Sequence, residues 1–141
     1  MVTRDATVST ALPAPWVWSV LTDVENLERW SGFEHCTDNG GRRLHDGSVW
    51  ECRIVLDGRP VPVTLTVVGF APSARLTLKS ETPVLTVLET FSVLRRTRRV
   101  DVGYHLRAYS QVSAPVLQRW LDDHLDRVTD GLGHLLLAPP P

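Results

Sequence analysis

The chain has 141 residues and a mass of 15.8 kDa, with 43% hydrophobic residues, 22% charged residues and a formal net charge of −1. That profile describes one globular domain with a sizeable core, and it excludes a disordered, collagen-like or disulfide-stapled chain. The near-neutral balance lacks the basic excess of a nucleic-acid binder, and no apolar run approaches the roughly 18 residues of a membrane span. The first ten residues, MVTRDATVST, show no hydrophobic core with a cleavage site, so no secretory signal is expected. Cys36 and Cys52 have no metal-ligand spacing, and reduced thiols in a cytoplasmic protein are the expectation. Arginine exceeds lysine fourteen to one, a bias that points to a GC-rich bacterial source. Five tryptophans against three phenylalanines and two tyrosines call for placement on a fold.

In chain order, Thr3–Thr10 is rich in valine and threonine and reads as a strand. Pro13 and Pro15 introduce a short helix over Trp16–Leu21. Asp23 is placed to cap a second short helix, Val24–Trp30, which Gly32 ends. From Phe33 to Tyr109 the chain reads as strands: a short one over 33–38, then Val49–Leu56, Val61–Phe70, Arg75–Lys79, Val84–Leu94 and Arg99–Tyr109. Turns are expected at Asn39-Gly40-Gly41, Asp57-Gly58-Arg59-Pro60, Ala71-Pro72-Ser73, Glu81-Thr82-Pro83 and Arg95–Arg98. Ser113-Ala114-Pro115 then opens a long helix reaching about Leu137, with apolar residues at 117, 121, 125, 128, 132 and 135. One amphipathic helix must cover one face of an antiparallel sheet, so the class is α+β. Residues 1–138 form a single domain, and 139–141 are expected to be a disordered tail.

This order of elements resembles the START-like superfamily, also called SRPBCC or helix-grip, and its polyketide cyclase/dehydrase branch in particular. The resemblance covers nearly the whole chain. It rests on the first strand with ALPAPWVWSVLTDVENLERW at 11–30, DGSVW at 46–50, ETFSVLRRTRRVDV at 89–102, and the last helix. It implies a curved seven-stranded antiparallel sheet gripping the C-terminal helix, two short helices after the first strand, and an apolar cavity for ligand between sheet and helix. Members include aromatase/cyclases, lipid and hormone carriers, and ligand sensors. They share no catalytic residue, so the resemblance transfers none.

Candidate residues come instead from strand phase. With the turn at 95–98, Leu85, Val87, Glu89, Phe91 and Val93 share a face with Val100, Val102, Tyr104, Leu106 and Ala108. Thr86, Thr90, Ser92, Asp101, His105 and Arg107 read as the solvent side. The inner row is apolar except where Glu89 opposes Tyr104. Burial favours the neutral form of a carboxyl group and so suits it to acid/base work near neutrality. Glu89 is therefore a candidate proton carrier, with Tyr104 bonded to it or aimed at a ligand carbonyl. The bland alternatives are a bulge that turns Glu89 outward or an arginine that pairs it.

His124 lies beside the apolar stripe of the last helix and is the third catalytic candidate, as base or ligand anchor. The alternative is a histidine bonded to a neighbour at the stripe's edge. Trp30, Phe33, Trp50, Phe91, Trp120 and Leu121 are candidate walls for a flat or polycyclic ligand, against plain core filling. His35 joins them as a candidate ligand contact, although the strand phase leaves open whether His35 or Cys36 faces inward. Trp16 and Trp18 sit on different faces of the first helix and are assigned to packing.

Arg95, Arg96, Arg98 and Arg99 fall on a hairpin tip and read as a solvated turn. Gly131 and Gly133 in the last helix mark a bend, a close contact or fraying. Nucleotide-loop glycines, a GxSxG elbow and HExxH are absent from the sequence, so no cofactor and no metal is expected. Two functions fit. The first is a small polyketide cyclase/dehydrase-like enzyme of natural-product biosynthesis, which binds a hydrophobic substrate and promotes cyclisation or dehydration by orientation plus acid/base catalysis. The second is a non-catalytic carrier or sensor of a small hydrophobic ligand. Neither nucleic acid nor membrane is an expected partner, and the protein is expected to be a monomer or homodimer. The resemblance to aromatase/cyclases implies a polar group with an inward arginine, but Arg53 and Arg107 both fall on the outer face, which speaks against aromatic-ring closure specifically.

Overall fold

The computed structural model describes residues 1–38 and 43–137. The elements are β1 (Val2–Thr10), α1 (Ala14–Thr22), α2 (Val24–Trp30), β2 (Glu34–Asp38), β3 (Val49–Leu56), β4 (Arg59–Ala71), β5 (Arg75–Glu81), β6 (Leu85–Arg95), β7 (Val100–Ser110) and α3 (Ala114–Leu135). The seven strands form one antiparallel sheet in the order β1-β7-β6-β5-β4-β3-β2. The turn expected at Asn39-Gly40-Gly41 and the tail at 139–141 lie outside the described residues.

Local chemistry sets the boundaries. Asp23 leaves the helical region between α1 and α2, and its Oδ1 accepts the Glu25 amide at 3.0 Å, capping α2. Gly32, at φ +77°, turns the chain away after α2, a conformation that costs a side-chain-bearing residue. Asp57 and Gly58, at φ +53° and +75°, make the two-residue hairpin turn that matches the natural twist of β3 and β4. Alternating burial along β3 and β5 turns Trp50, Cys52, Ile54, Leu76 and Leu78 inward.

Two details differ from the expected register. The four-residue tip of the β6–β7 hairpin is 96–99, with Arg95 paired to Val100 and the Arg96 amide donating to the Arg99 carbonyl at 2.9 Å. Glu89 therefore lies opposite Leu106, and Phe91 lies opposite Tyr104. The shift is two residues, one full period of a strand, so every side chain keeps its expected face. Asp101 points to the outer side as expected, yet it is 4% exposed rather than solvated, because Ser9, Arg96 and Arg99 cover it.

The inner face of the sheet, α1, α2 and α3 enclose one hydrophobic cluster. Trp30, Phe33, Phe91, Leu106 and Leu121 are among its largest fully buried members. Each such side chain contributes roughly 1.5–3 kcal/mol by leaving water. On α3 the buried stripe is Leu117, Leu121, His124, Val128 and Leu132, so His124 sits in the middle of the core-facing side and Leu125 at its margin. Gly131 explains the fit of α3 to α2: a Cβ there would lie 2.6 Å from the Arg29 carbonyl oxygen and 2.7 Å from Trp30 Cα. Gly133 faces open space, so close packing accounts for only one of the two glycines.

Candidate functional site

Three elements bring their polar residues to one point. β6 supplies Glu89, β7 supplies Tyr104 diagonally across the ladder, and α3 supplies His124 from above. All three are at most 3% exposed. The Tyr104 hydroxyl donates to Glu89 Oε2, and His124 Nε2 lies 2.9 Å from the same oxygen. With the carboxylate ionised it can only accept, so Nε2 is then the donor and Nδ1 is the ring nitrogen turned away from Glu89. Glu89 Oε1 is buried without a hydrogen-bond partner among the described residues, a costly arrangement for a polar atom. Burial, then the charge and hydrogen bond of Glu89, push the Tyr104 phenol well above its ordinary value of 10.0. Tyr104 is therefore a fixed proton donor across the physiological range.

Aromatic rings hold this cluster in place. Trp120 stacks on His124 with centroids 4.6 Å apart and planes 10° apart, and Phe33 meets the imidazole at 5.6 Å. The stacked indole face fixes the plane of the imidazole. Phe91 lies 5.0 Å from both Tyr104 and Trp30. A Cβ at Gly32 would come within 3.0 Å of His124 Nδ1, so the glycine leaves that nitrogen uncovered by a side chain.

His124 also lines a hollow of about 310 Å³ between α3 and the β3–β4 turn. Ile54, Gly58, Val116, Trp120 and Arg119 share its wall, together with Arg127. The imidazole thus reaches the buried carboxylate on one side and this hollow on the other. A second hollow of about 610 Å³ opens beside it between α2 and α3, and Gly32 and Arg127 border both.

Among the sequence candidates, Glu89, Tyr104 and His124 converge, with Trp120, Phe33 and Phe91 in ring contact around them. Trp30 is fully buried against Phe91, and its indole Nε1 has no hydrogen-bond partner among the described residues. Trp50 and Leu121 lie in the core cluster. His35 does not join the group. It is exposed at φ +53° in a bulge of β2, and Cys36 is the residue that packs on the core. The wall positions Val116, Arg119, Asp123 and Arg127 were not singled out by sequence, although their spacing of three or four places them on one side of α3 with Trp120. Among the described residues, no three His, Cys, Asp or Glu side chains converge to hold a metal, and no helix is long and apolar enough to cross a membrane.

One antiparallel sheet of seven strands, two short helices after the first and a long closing helix make up a START-like, helix-grip fold, and solved structures share it. The chain is similar to the Zhui aromatase/cyclase from Streptomyces sp. R1128, at 12% identity and a TM-score of 0.78, covering 96% of this chain and 93% of that one. It is similar to a START superfamily protein from Mycobacterium smegmatis, at 15% identity and a TM-score of 0.73, covering 95% and 96%. It is also similar to DynU16 of the dynemicin biosynthetic locus, at 18% identity and a TM-score of 0.62, covering 92% of this chain and 46% of that one. No family model matches the sequence, and a search of curated proteins finds no match. At these identities the likeness establishes the START-like fold.

Proposed function

We propose that this chain is a cyclase/dehydrase-type enzyme of natural-product biosynthesis, acting on a small hydrophobic, polyketide-like molecule with Glu89, His124 and Tyr104 as its acid/base group. One observation carries the reading: two proton-bearing side chains meet on one oxygen of a buried carboxylate whose other oxygen has no partner. The aromatase/cyclase and the dynemicin-locus protein among the structural neighbours support the substrate class.

Carbon atoms beside ketones lose protons readily once a base is held against them and the developing enolate is stabilised. In the proposed reaction, His124, which Glu89 supports through Nε2 and which lines the hollow, takes that proton. Tyr104, held protonated, anchors the carboxylate, and the aromatic surroundings orient the chain for ring closure or for loss of water. In dehydration, the imidazole takes the proton from carbon, the C–H electron pair becomes the new double bond, and the imidazolium returns the proton to the hydroxyl on the next carbon, which leaves as water.

The carrier reading has one observation in its favour, that His124 lines the 310 Å³ hollow and Glu89 does not. Incubation with a linear poly-β-keto thioester separates the two. The enzyme accelerates formation of a cyclised or dehydrated product above the uncatalysed rate, as followed by liquid chromatography and mass spectrometry. Retention of the unchanged thioester in a native mass spectrum, without acceleration, would favour the carrier.

A further inference from the structure

Cys36 and Cys52 take no part in the proposed chemistry, yet the fold places them together. Glu34 pairs with Arg53, Thr37 with Glu51 and Asp38 with Trp50, so between the first two pairs His35 and Cys36 of β2 together face Cys52 of β3. The register shifts there, and β2 carries the extra residue. The bulge holds His35 at φ +53°, a left-handed conformation that disfavours residues other than glycine, and it turns Cys36 onto the core where Cys52 lies. The Cys36 amide donates to Glu28 Oε1 at 2.7 Å, which fixes the bulge to α2. Both cysteines are free; Cys36 is half-buried and Cys52 is buried. The hydrogen-bonding Cys36 thiol, followed by burial, pushes the Cys52 thiol up. The two thiols therefore already meet side chain to side chain across the bulge, which is where a disulfide would form.

We propose that Cys36 and Cys52 form a reversible disulfide under hydroperoxide, a modification site that ties β2 to β3. Cys36 is the more exposed sulfur and meets the oxidant first. Its thiolate attacks one peroxide oxygen, the O–O bond breaks, and Cys36 becomes a sulfenic acid as the peroxide leaves as water after protonation. Cys52 sulfur then attacks the Cys36 sulfur, the S–O bond breaks, and a second water departs with the Cys52 proton. Two thiols lose two electrons in total, and hydrogen peroxide is reduced to two waters.

The bond would act on the neighbourhood of the site without being part of it. Ile54, two residues beyond Cys52 on β3, lines the 310 Å³ hollow, and Phe33, immediately before β2, packs on His124. The proposal is independent of the acid/base reading, because it is tested on thiols alone.

The test treats the full chain with a small molar excess of hydrogen peroxide, then counts thiols after denaturation and maps peptides by mass spectrometry. The expected result is loss of both thiols together, a Cys36–Cys52 linked peptide, a mass lower by two hydrogen atoms, and full recovery with dithiothreitol. In Cys52→Ser the intermediate has no partner, and dimedone is expected to label Cys36. Oxidation of Cys36 with Cys52 left as a free thiol would overturn the proposal, as would disulfide-linked dimers in place of the internal bond. Both thiols surviving peroxide that oxidises free cysteine would overturn it equally.

Discussion

Glu89 and Asp101 are both buried carboxylates of the β6–β7 hairpin region, at 1% and 4% exposure, and they face opposite sides of one sheet. On the outer side, Asp101 Oδ1 accepts from Ser9 Oγ at 2.7 Å and Arg99 Nε at 2.9 Å, while Oδ2 accepts from Arg96 Nε at 3.2 Å. Hydrogen bonds from Ser9 and Arg99 lead in holding its pKa down to about 2, from an ordinary 3.8. On the inner side, Glu89 has a phenol and an imidazole on one oxygen and, among the described residues, nothing on the other. Burial alone therefore does not mark a working carboxylate. The partner set does: arginines on both oxygens lock Asp101 as an anion, whereas Glu89 meets a phenol that keeps its proton and an imidazole, the side chain suited to exchanging one.

The largest effect should come from removing the ring that supports the inner side. Phe91→Ala is expected to lower stability by about 3–5 kcal/mol, read from urea unfolding, because Phe91 contacts both Trp30 and Tyr104 in a fully buried position. A loss below about 1 kcal/mol would mean that the inner face repacks easily and does not hold Glu89 in place. His124→Asn should lower kcat on a productive thioester by about 10²-fold or more with the fold retained, since proton transfer by one positioned group contributes on that scale. An unchanged kcat would reduce the histidine to a structural partner.

Gly131→Ala tests the seating of α3. The added methyl meets backbone at 2.6 Å, so overpacking of about 1–3 kcal/mol outweighs a helix-propensity gain of roughly 1 kcal/mol. Gly133→Ala, which meets nothing within 4 Å, should instead raise Tm. Asp101→Asn gives the smallest effect, because its arginine partners are 53% and 60% exposed and screened by solvent. Its sign follows from the depressed pKa: the stabilisation is present above about pH 4 and is lost as pH falls towards 2. Urea midpoints of wild type and Asp101→Asn should therefore converge over that interval, and a gap that persists to pH 2 would contradict the ion-pair account.

Much of this was legible in the sequence because strand and helix periods carry it. Alternation along 84–109 put Glu89, Phe91 and Tyr104 on the inner face, and a two-residue error in register left that result intact. The heptad-like stripe on α3 placed His124 at its edge, since at sequence level a histidine counts as polar. Only packing shows that it occupies the middle of the buried side. Strand phase failed at 33–38, where the bulge at His35 adds a residue and breaks the alternation. The cover over Asp101 was missed because arginines on a hairpin tip read as solvated, and nothing local shows them folding back on a strand residue.

The central claim is that Glu89 serves proton transfer through His124 and that Asp101 serves none. Turnover of a poly-β-keto thioester by Glu89→Gln and Asp101→Asn, measured side by side with wild type at pH 7, tests it directly. Glutamine keeps the size and the hydrogen-bonding capacity of Glu89 but cannot act as a base. The account predicts a fall in kcat of about 10²-fold or more for Glu89→Gln with native circular dichroism, and little change for Asp101→Asn. Wild-type turnover in Glu89→Gln, or an equal loss in both variants, would contradict it.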